Sequence, residues 1–136
     1  MPVLGGMRGS WNITRNTAFS LPGAGGAPIL GRGGLEYRLR DAAEALDLAA
    51  AAKDADTAWD FYSQRCQAEI GDVESYRRLL DAFYAGRDPR PTSWTVRVIG
   101  SSGQVVTVDA DPNALAHAME PRTWTLIDVR WQFDNC

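Results

Sequence analysis

Apolar residues recur along this chain in three different rhythms, and each rhythm implies a different backbone. Between residues 35 and 86 the spacing is helical. Leu35, Leu39, Ala42, Leu46 and Ala49 step by four and three, which sets them on one helix face, with Glu36, Arg40, Asp41, Glu44 and Asp47 on the other. Alanine dominates residues 42–52 and adds strong helix propensity. Asp54 to Thr57 predicts a break, and Thr57 with Asp60 resembles a capping pair. A second helix is expected to carry Ala58, Phe61, Tyr62, Cys66 and Ile70. Gly71 reads as its stop and Asp72 as the N-cap of a third helix, unless the two run on as one. In that third helix Val73, Tyr76, Leu79, Leu80 and Phe83 share a face, and Gly86, Pro89 and Pro91 prevent its continuation.

From residue 92 onward the composition turns to strand formers. SWTVRVIG (93–100) and QVVTV (104–108), separated by a Gly-Ser-Ser-Gly loop, predict a hairpin. DPNALAHAM (111–119) predicts a short helix with Asp111 at the N-cap and Pro112 at its first position. RTWTLIDVRWQF (122–133) reads as one long strand. Its second half alternates apolar with polar, while Trp124 and Leu126 fall on the opposite face, so both faces are expected to be covered.

Residues 1–34 show neither period. They hold nine of the 13 glycines and three arginines without a single acid. Trp11, Ile13, Phe19, Leu21, Ile29 and Leu30 are spaced through them, which is unlike a disordered tail. An extended arm with apolar studs fits this pattern, each stud filling a pocket on a neighbour while glycine lets the backbone pass close by. The expected organisation is an arm at 1–34 and a single α+β domain at 35–136. That domain divides into a helical part at 35–86 and a mainly strand part at 92–136, closing in a small antiparallel sheet.

Composition narrows the function. A net charge of −3 gives no footprint for reading nucleic acid. The −5 carried by residues 35–86 reads as an ordinary solvated face. The basic residues are 13 arginines and one lysine, Lys53, spread among acids, which reads as coding bias rather than a phosphate-binding set. No stretch approaches the ~18 apolar residues of a membrane span. Met1 to Ser10 lacks the pattern of a signal peptide, and a cytoplasmic setting is expected. Cys66 and Cys136 form no CxxC pair, are expected to remain unlinked, and Cys66 is expected as a buried helix residue.

Candidate chemistry is sparse. The run GAGGAPILGRGG (23–34) lacks the lysine of a phosphate loop and the third glycine of a dinucleotide fingerprint, so it reads as part of the arm. Asp109, Asp111, Asn113 and Glu120 fall at positions 1, 3, 5 and 12 of a calcium loop. Ala114 stands where that loop needs glycine, however, and Asp111-Pro112 reads as a helix start. His117 is the single histidine, flanked by alanines, with nothing to activate it. No catalytic residue, cofactor or metal ligand is assigned. Trp94, Trp124 and Trp131 are expected in the sheet and core, and Trp11 at an interface.

An extended arm, an alanine-rich helical segment and a small β unit on a short chain together resemble the small structural proteins of tailed-phage virions. SYRRLLDAFYAG (75–86) followed by SWTVRVIGSSG (93–103) is similar to the helix-then-strand segment of phage tail-tube proteins. The helical share of residues 35–86 departs from those mainly β proteins. The resemblance implies a virion part, whether capsid-associated, connector or tail, assembled in a host cytoplasm. On this reading the chain is a non-enzymatic assembly subunit. The six apolar studs of its arm would bind neighbouring structural subunits, in a homo-oligomer or a mixed assembly. The alternatives are an accessory, non-catalytic subunit of a multi-component enzyme, clamped to its partner by the arm, and a small metal-binding protein using Asp109, Asp111 and Glu120.

Overall fold

Helix α1 runs from Arg32 to Ala51, three residues earlier than the pattern of apolar positions suggests. The structure is a computed structural model and describes residues 32–136. Three short helices follow: α2 (Ala55–Trp59), α3 (Gln64–Ile70) and α4 (Val73–Phe83). Then come β1 (Pro91–Ile99), β2 (Ser102–Asp109), a 3-10 turn at Ala116–Met119, β3 (Arg122–Ile127) and β4 (Arg130–Phe133). The four strands pair in sequence order, each antiparallel to the next. The class is α+β, with helices followed by an antiparallel sheet.

Helix α1 lies on one face of this sheet. Leu39, Ala43, Leu46, Ala49 and Ala50 are buried on it, so the face is the expected one shifted by a fraction of a turn. From the sheet come Trp94, Val98, Val105, Trp124, Trp131 and Phe133. Leu39 sits directly above Gly103: a Cβ built at Gly103 would fall 2.5 Å from Leu39 Cδ2.

The predicted second helix is in fact two. Asp54, rather than Thr57, caps α2 by accepting from the Thr57 backbone N–H at 3.3 Å. Ser63 caps α3, accepting from the Cys66 N–H at 3.1 Å. Between them the backbone leaves the helix to pair with β4: Phe133 donates to the Phe61 carbonyl at 2.7 Å, and Ser63 donates to the Phe133 carbonyl at 2.8 Å. Two backbone bonds to the sheet replace one helical turn. Gly71 ends α3 with φ of 110°, and Asp72 caps α4 as expected. Leu79, expected on the inner face of α4, is 54% exposed, while Tyr76 and Leu80 are buried. The rings of Trp59, Tyr62, Tyr76 and Phe133 then connect α2 and α4 to the sheet, with Tyr62 lying 4.8 Å from both Tyr76 and Phe133.

The long strand expected at 122–133 is also two. A turn at Asp128 and Val129, with φ of 51° and 56°, folds it into a hairpin. Trp124 pairs with Phe133, and Leu126 with Trp131. The fold-back therefore puts even-numbered residues of β3 and odd-numbered residues of β4 on the same face. That explains the change of phase in the sequence without a second covering layer. The first hairpin is tighter than expected, closing at Gly100-Ser101 with Ile99 opposite Ser102. The helix expected at 111–119 is reduced to the 3-10 turn.

Candidate functional site

Trp11, Ile13, Phe19, Leu21, Ile29 and Leu30, the expected partner-binding studs, lie outside the described residues. So does the glycine run up to Gly31, while Arg32 to Gly34 open α1. His117 lies in the 3-10 turn.

The spacing that matches a calcium loop serves a different purpose. Arg87, just beyond α4, has its side chain 6% exposed and its guanidinium between two carboxylates. Its Nε donates to Asp111 Oδ2 at 3.3 Å and its Nη2 to Asp109 Oδ2 at 3.4 Å. The rings of Phe83 and Tyr84 each lie 5.0 Å from its central carbon. Backbone N–H groups take the remaining lone pairs. Asp109 Oδ1 accepts from Arg90 and Asp111, and Asp111 accepts from Asp88 and Asn113. The Asn113 and Asp88 N–H groups, with Arg87, hold the Asp111 carboxyl below its ordinary range. The acids thus neutralise a buried arginine and brace the chain between α4 and β1. Among the described residues no cluster of metal-ligating side chains forms.

A second polar cluster anchors the C-terminus. Asp134 accepts from Ser63 Oγ at 2.6 Å, Arg65 Nε at 3.1 Å and Thr125 Oγ1 at 2.8 Å. Burial pushes its carboxyl up, but these bonds and the Arg65 charge outweigh it and hold the group low. Beside it Cys66 and Cys136 form a disulfide, contrary to the expectation of unlinked cysteines. Their separation of 70 residues hides the pairing in the sequence; the hairpin β3–β4 and its bonds to Phe61 and Ser63 bring the C-terminus to α3.

Asp47, expected on the solvated side of α1, is turned inward. Its Oδ2 accepts from Trp94 Nε1 at 2.8 Å and Thr107 Oγ1 at 2.7 Å, and burial pushes its carboxyl up. It borders a cleft of about 30 Å³ shared with Tyr84, Arg87, Thr107 and Arg122. A cleft of this size admits a water or two, far below the roughly 300 Å³ of a small-ligand site. Its polar groups serve the packing of helix on sheet.

The surface offers more. Ile99 is 70% exposed, Val129 76%, Val108 45% and Ile127 37%. Ile99, Ile127 and Val129 stand at one end of the sheet, where both hairpin turns lie; Leu126 N–H donates to the Ser101 carbonyl across that end. Arg38 on α1 braces the second turn by donating to the Val129 carbonyl at 2.9 Å. Strand β1 forms one edge of the sheet, and among the described residues its backbone pairs with β2 alone. Sequence reasoning missed this surface, because which side chains of a strand stay uncovered depends on the layer packed against it. No helix of the described residues is long and apolar enough to cross a membrane. In comparisons with known proteins, no family model, no curated protein and no solved structure matches this chain.

Proposed function

We propose that this chain is a structural assembly subunit of a virion or a similar large symmetric complex. Its N-terminal arm would bind neighbouring subunits through Trp11, Ile13, Phe19, Leu21, Ile29 and Leu30. The observation that carries this reading is the arm itself: large apolar residues spaced through an acid-free, glycine-rich segment that leads directly into a folded body. Burying those side chains on neighbours contributes roughly 25 cal/mol per Å² of apolar area, reduced by the cost of ordering the arm. Two features of the body support the reading. Its polar clusters brace the fold, and Ile99, Val108, Ile127 and Val129 leave apolar side chains exposed along the sheet and its second turn. The disulfide is compatible with it as well, since virion surfaces are among the settings in which disulfides persist.

The test is the solution mass of the full chain against a chain lacking residues 2–31, by light scattering at several concentrations. The expected result is a defined assembly for the full chain and a folded body of lower mass for the truncation. Equal masses for two folded chains would overturn the role of the arm.

A further inference from the structure

We propose that β1 is a self-association edge, pairing antiparallel with β1 of a second copy about a two-fold axis through Val96. The choice of a second copy as occupant rests on the reading of the chain as an assembly subunit; the register is argued from the strand itself.

An edge strand presents a row of unpaired backbone groups, and stable monomers blunt such edges with lysines, prolines, bulges or a covering segment. In β1 these devices sit only at the start. Pro91 and the register shift between Pro91 and Ser93 protect the first residues. From Ser93 to Ile99 the strand holds no proline, no lysine and no acid, and Arg97 is its single charge. Among the described residues no backbone group pairs with that edge.

Paired antiparallel about its centre, SWTVRVI (93–99) opposes no like charges and matches apolar residues on its inner face. With Val96 opposite Val96 of the second copy, Trp94 meets Val98 on the inner face and Thr95 meets Arg97 on the outer face. Ser93 meets Ile99. The single charge is never opposed by its own copy, and each inner-face residue faces another apolar one. A two-fold through a residue pair closes the ladder whether that pair is hydrogen-bonded or not.

The same register sets two exposed apolar side chains in one row across the joined sheets. Ile99 is 70% exposed and Val108 45%, and Val108 pairs with Ser93 within its own sheet. In the paired edges, Ile99 of one copy lies opposite Ser93 of the other, with Val108 of that other copy next in line. The two apolar side chains then flank a small serine, about 10 Å apart along the hydrogen-bonding direction. This happens twice by symmetry. The result is one continuous sheet with the helices of both copies on the same side, an isologous contact.

The charge pattern provides a test specific to this register. Thr95 and Arg97 are both exposed, and within the chain they pair with Val106 and Gln104, which are uncharged. Thr95→Glu would place two carboxylates opposite two arginines across the axis. Thr95→Lys would oppose like charges twice, and Thr95→Lys with Arg97→Glu would restore attraction. Sedimentation equilibrium of the full chain and these three variants reads the dissociation constant, with circular dichroism confirming the fold. Thr95→Glu is expected to tighten association about two- to thirtyfold, Thr95→Lys to weaken it similarly, and the double variant to recover it. A full chain that stays monomeric at all concentrations would overturn the proposal. So would an association indifferent to all three variants; if that association were lost on removing residues 2–31, the arm reading would stand without the edge.

Discussion

Asp47 and Trp94 join α1 to β1 through one hydrogen bond, the indole N–H donating to the carboxylate at 2.8 Å, and Thr107 adds a second from β2 at 2.7 Å. One acceptor oxygen therefore fixes the helix to two strands. Asp47→Ala would leave both donors without a partner, at a cost of about 2–4 kcal/mol. Asp47→Asn keeps an acceptor and removes a charge disfavoured by burial, so it should lie within about 1 kcal/mol of wild type. The pH dependence follows from the raised carboxyl. Just above the ordinary 3.8, the folded chain holds a proton that the unfolded chain has lost, so this group's contribution declines as pH rises through the folded value. Urea unfolding of wild type and Asp47→Asn from pH 4 upward should show the variant gaining relative stability as pH rises. A constant difference would mean that Asp47 is not held proton-rich by its surroundings.

Close packing of Leu39 on Gly103 sets a second expectation. A Cβ at Gly103 would meet Leu39 Cδ2 at 2.5 Å and the Trp131 ring at 3.1 Å, and Leu39 is fully buried. Gly103→Ala should cost about 1–3 kcal/mol through overpacking. Leu39→Ala alone should cost about 2–5 kcal/mol through the cavity it leaves. Together the new methyl group occupies part of that cavity, so the double variant should lose less than the two costs added. Denaturation of the four proteins in a double-mutant cycle measures this; strict additivity would show that the two sites do not share space.

Much of this fold was legible in the residues. The four-and-three spacing of α1, the caps at Gly71 and Asp72, and the strand composition after residue 92 are local properties, and local properties appear in a sequence. The misreadings share one cause. Phe61 and Tyr62 fit a helix by spacing, yet Phe133 draws their backbone into the sheet. Asp128 and Val129 form a hairpin turn without the glycine that normally marks one. Asp47 looks solvated by its neighbours in the chain, but Trp94 and Thr107 turn it inward. Asp109 and Asp111 look like cation ligands until Arg87 arrives from α4. The Cys66–Cys136 bond depends on the whole intervening fold. In each case a partner distant in sequence overrides a local preference. The β1 edge becomes visible only once the sheet order is known.

The C-terminal anchor should be sensitive to reductant and to acid. Closing a loop across a separation of 70 residues restricts the unfolded chain by about 4 kcal/mol on a chain-entropy estimate. Cys66→Ala with Cys136→Ala should therefore lower the denaturation midpoint substantially, and reductant should bring wild type to the same midpoint. Asp134 adds a pH term of opposite sign to that of Asp47. Its folded carboxyl is held below the ordinary 3.8, so its contribution is present above that value and is lost as pH falls through the folded one. Asp134→Asn should reduce the difference between midpoints measured at neutral pH and in acid. An unchanged difference would assign the acid sensitivity elsewhere, with Asp111 the first alternative because its carboxyl is held low as well.

The turn at Val129 links stability to the surface. A β-branched residue at a φ of 56° is in the left-handed region, which costs an L-residue roughly 1–2 kcal/mol. The side chain is 76% exposed, so little packing offsets that cost. The bond from Arg38 reaches the Val129 carbonyl and would survive any side-chain change. Val129→Gly should therefore raise stability by about 1 kcal/mol, after allowing for the freer unfolded chain that glycine creates. Asp128→Asn with Val129→Gly installs the preferred Asn-Gly turn and should raise it further. Thermal melting checks the sign. A strained, exposed apolar residue at the same end of the sheet as Ile99 and Ile127 has a reason to persist if that end is a contact surface. The same variants should then associate more weakly in light scattering while melting at higher temperature. Higher stability with unchanged association would assign Val129 no part in assembly, and lower stability would show that the turn is not strained.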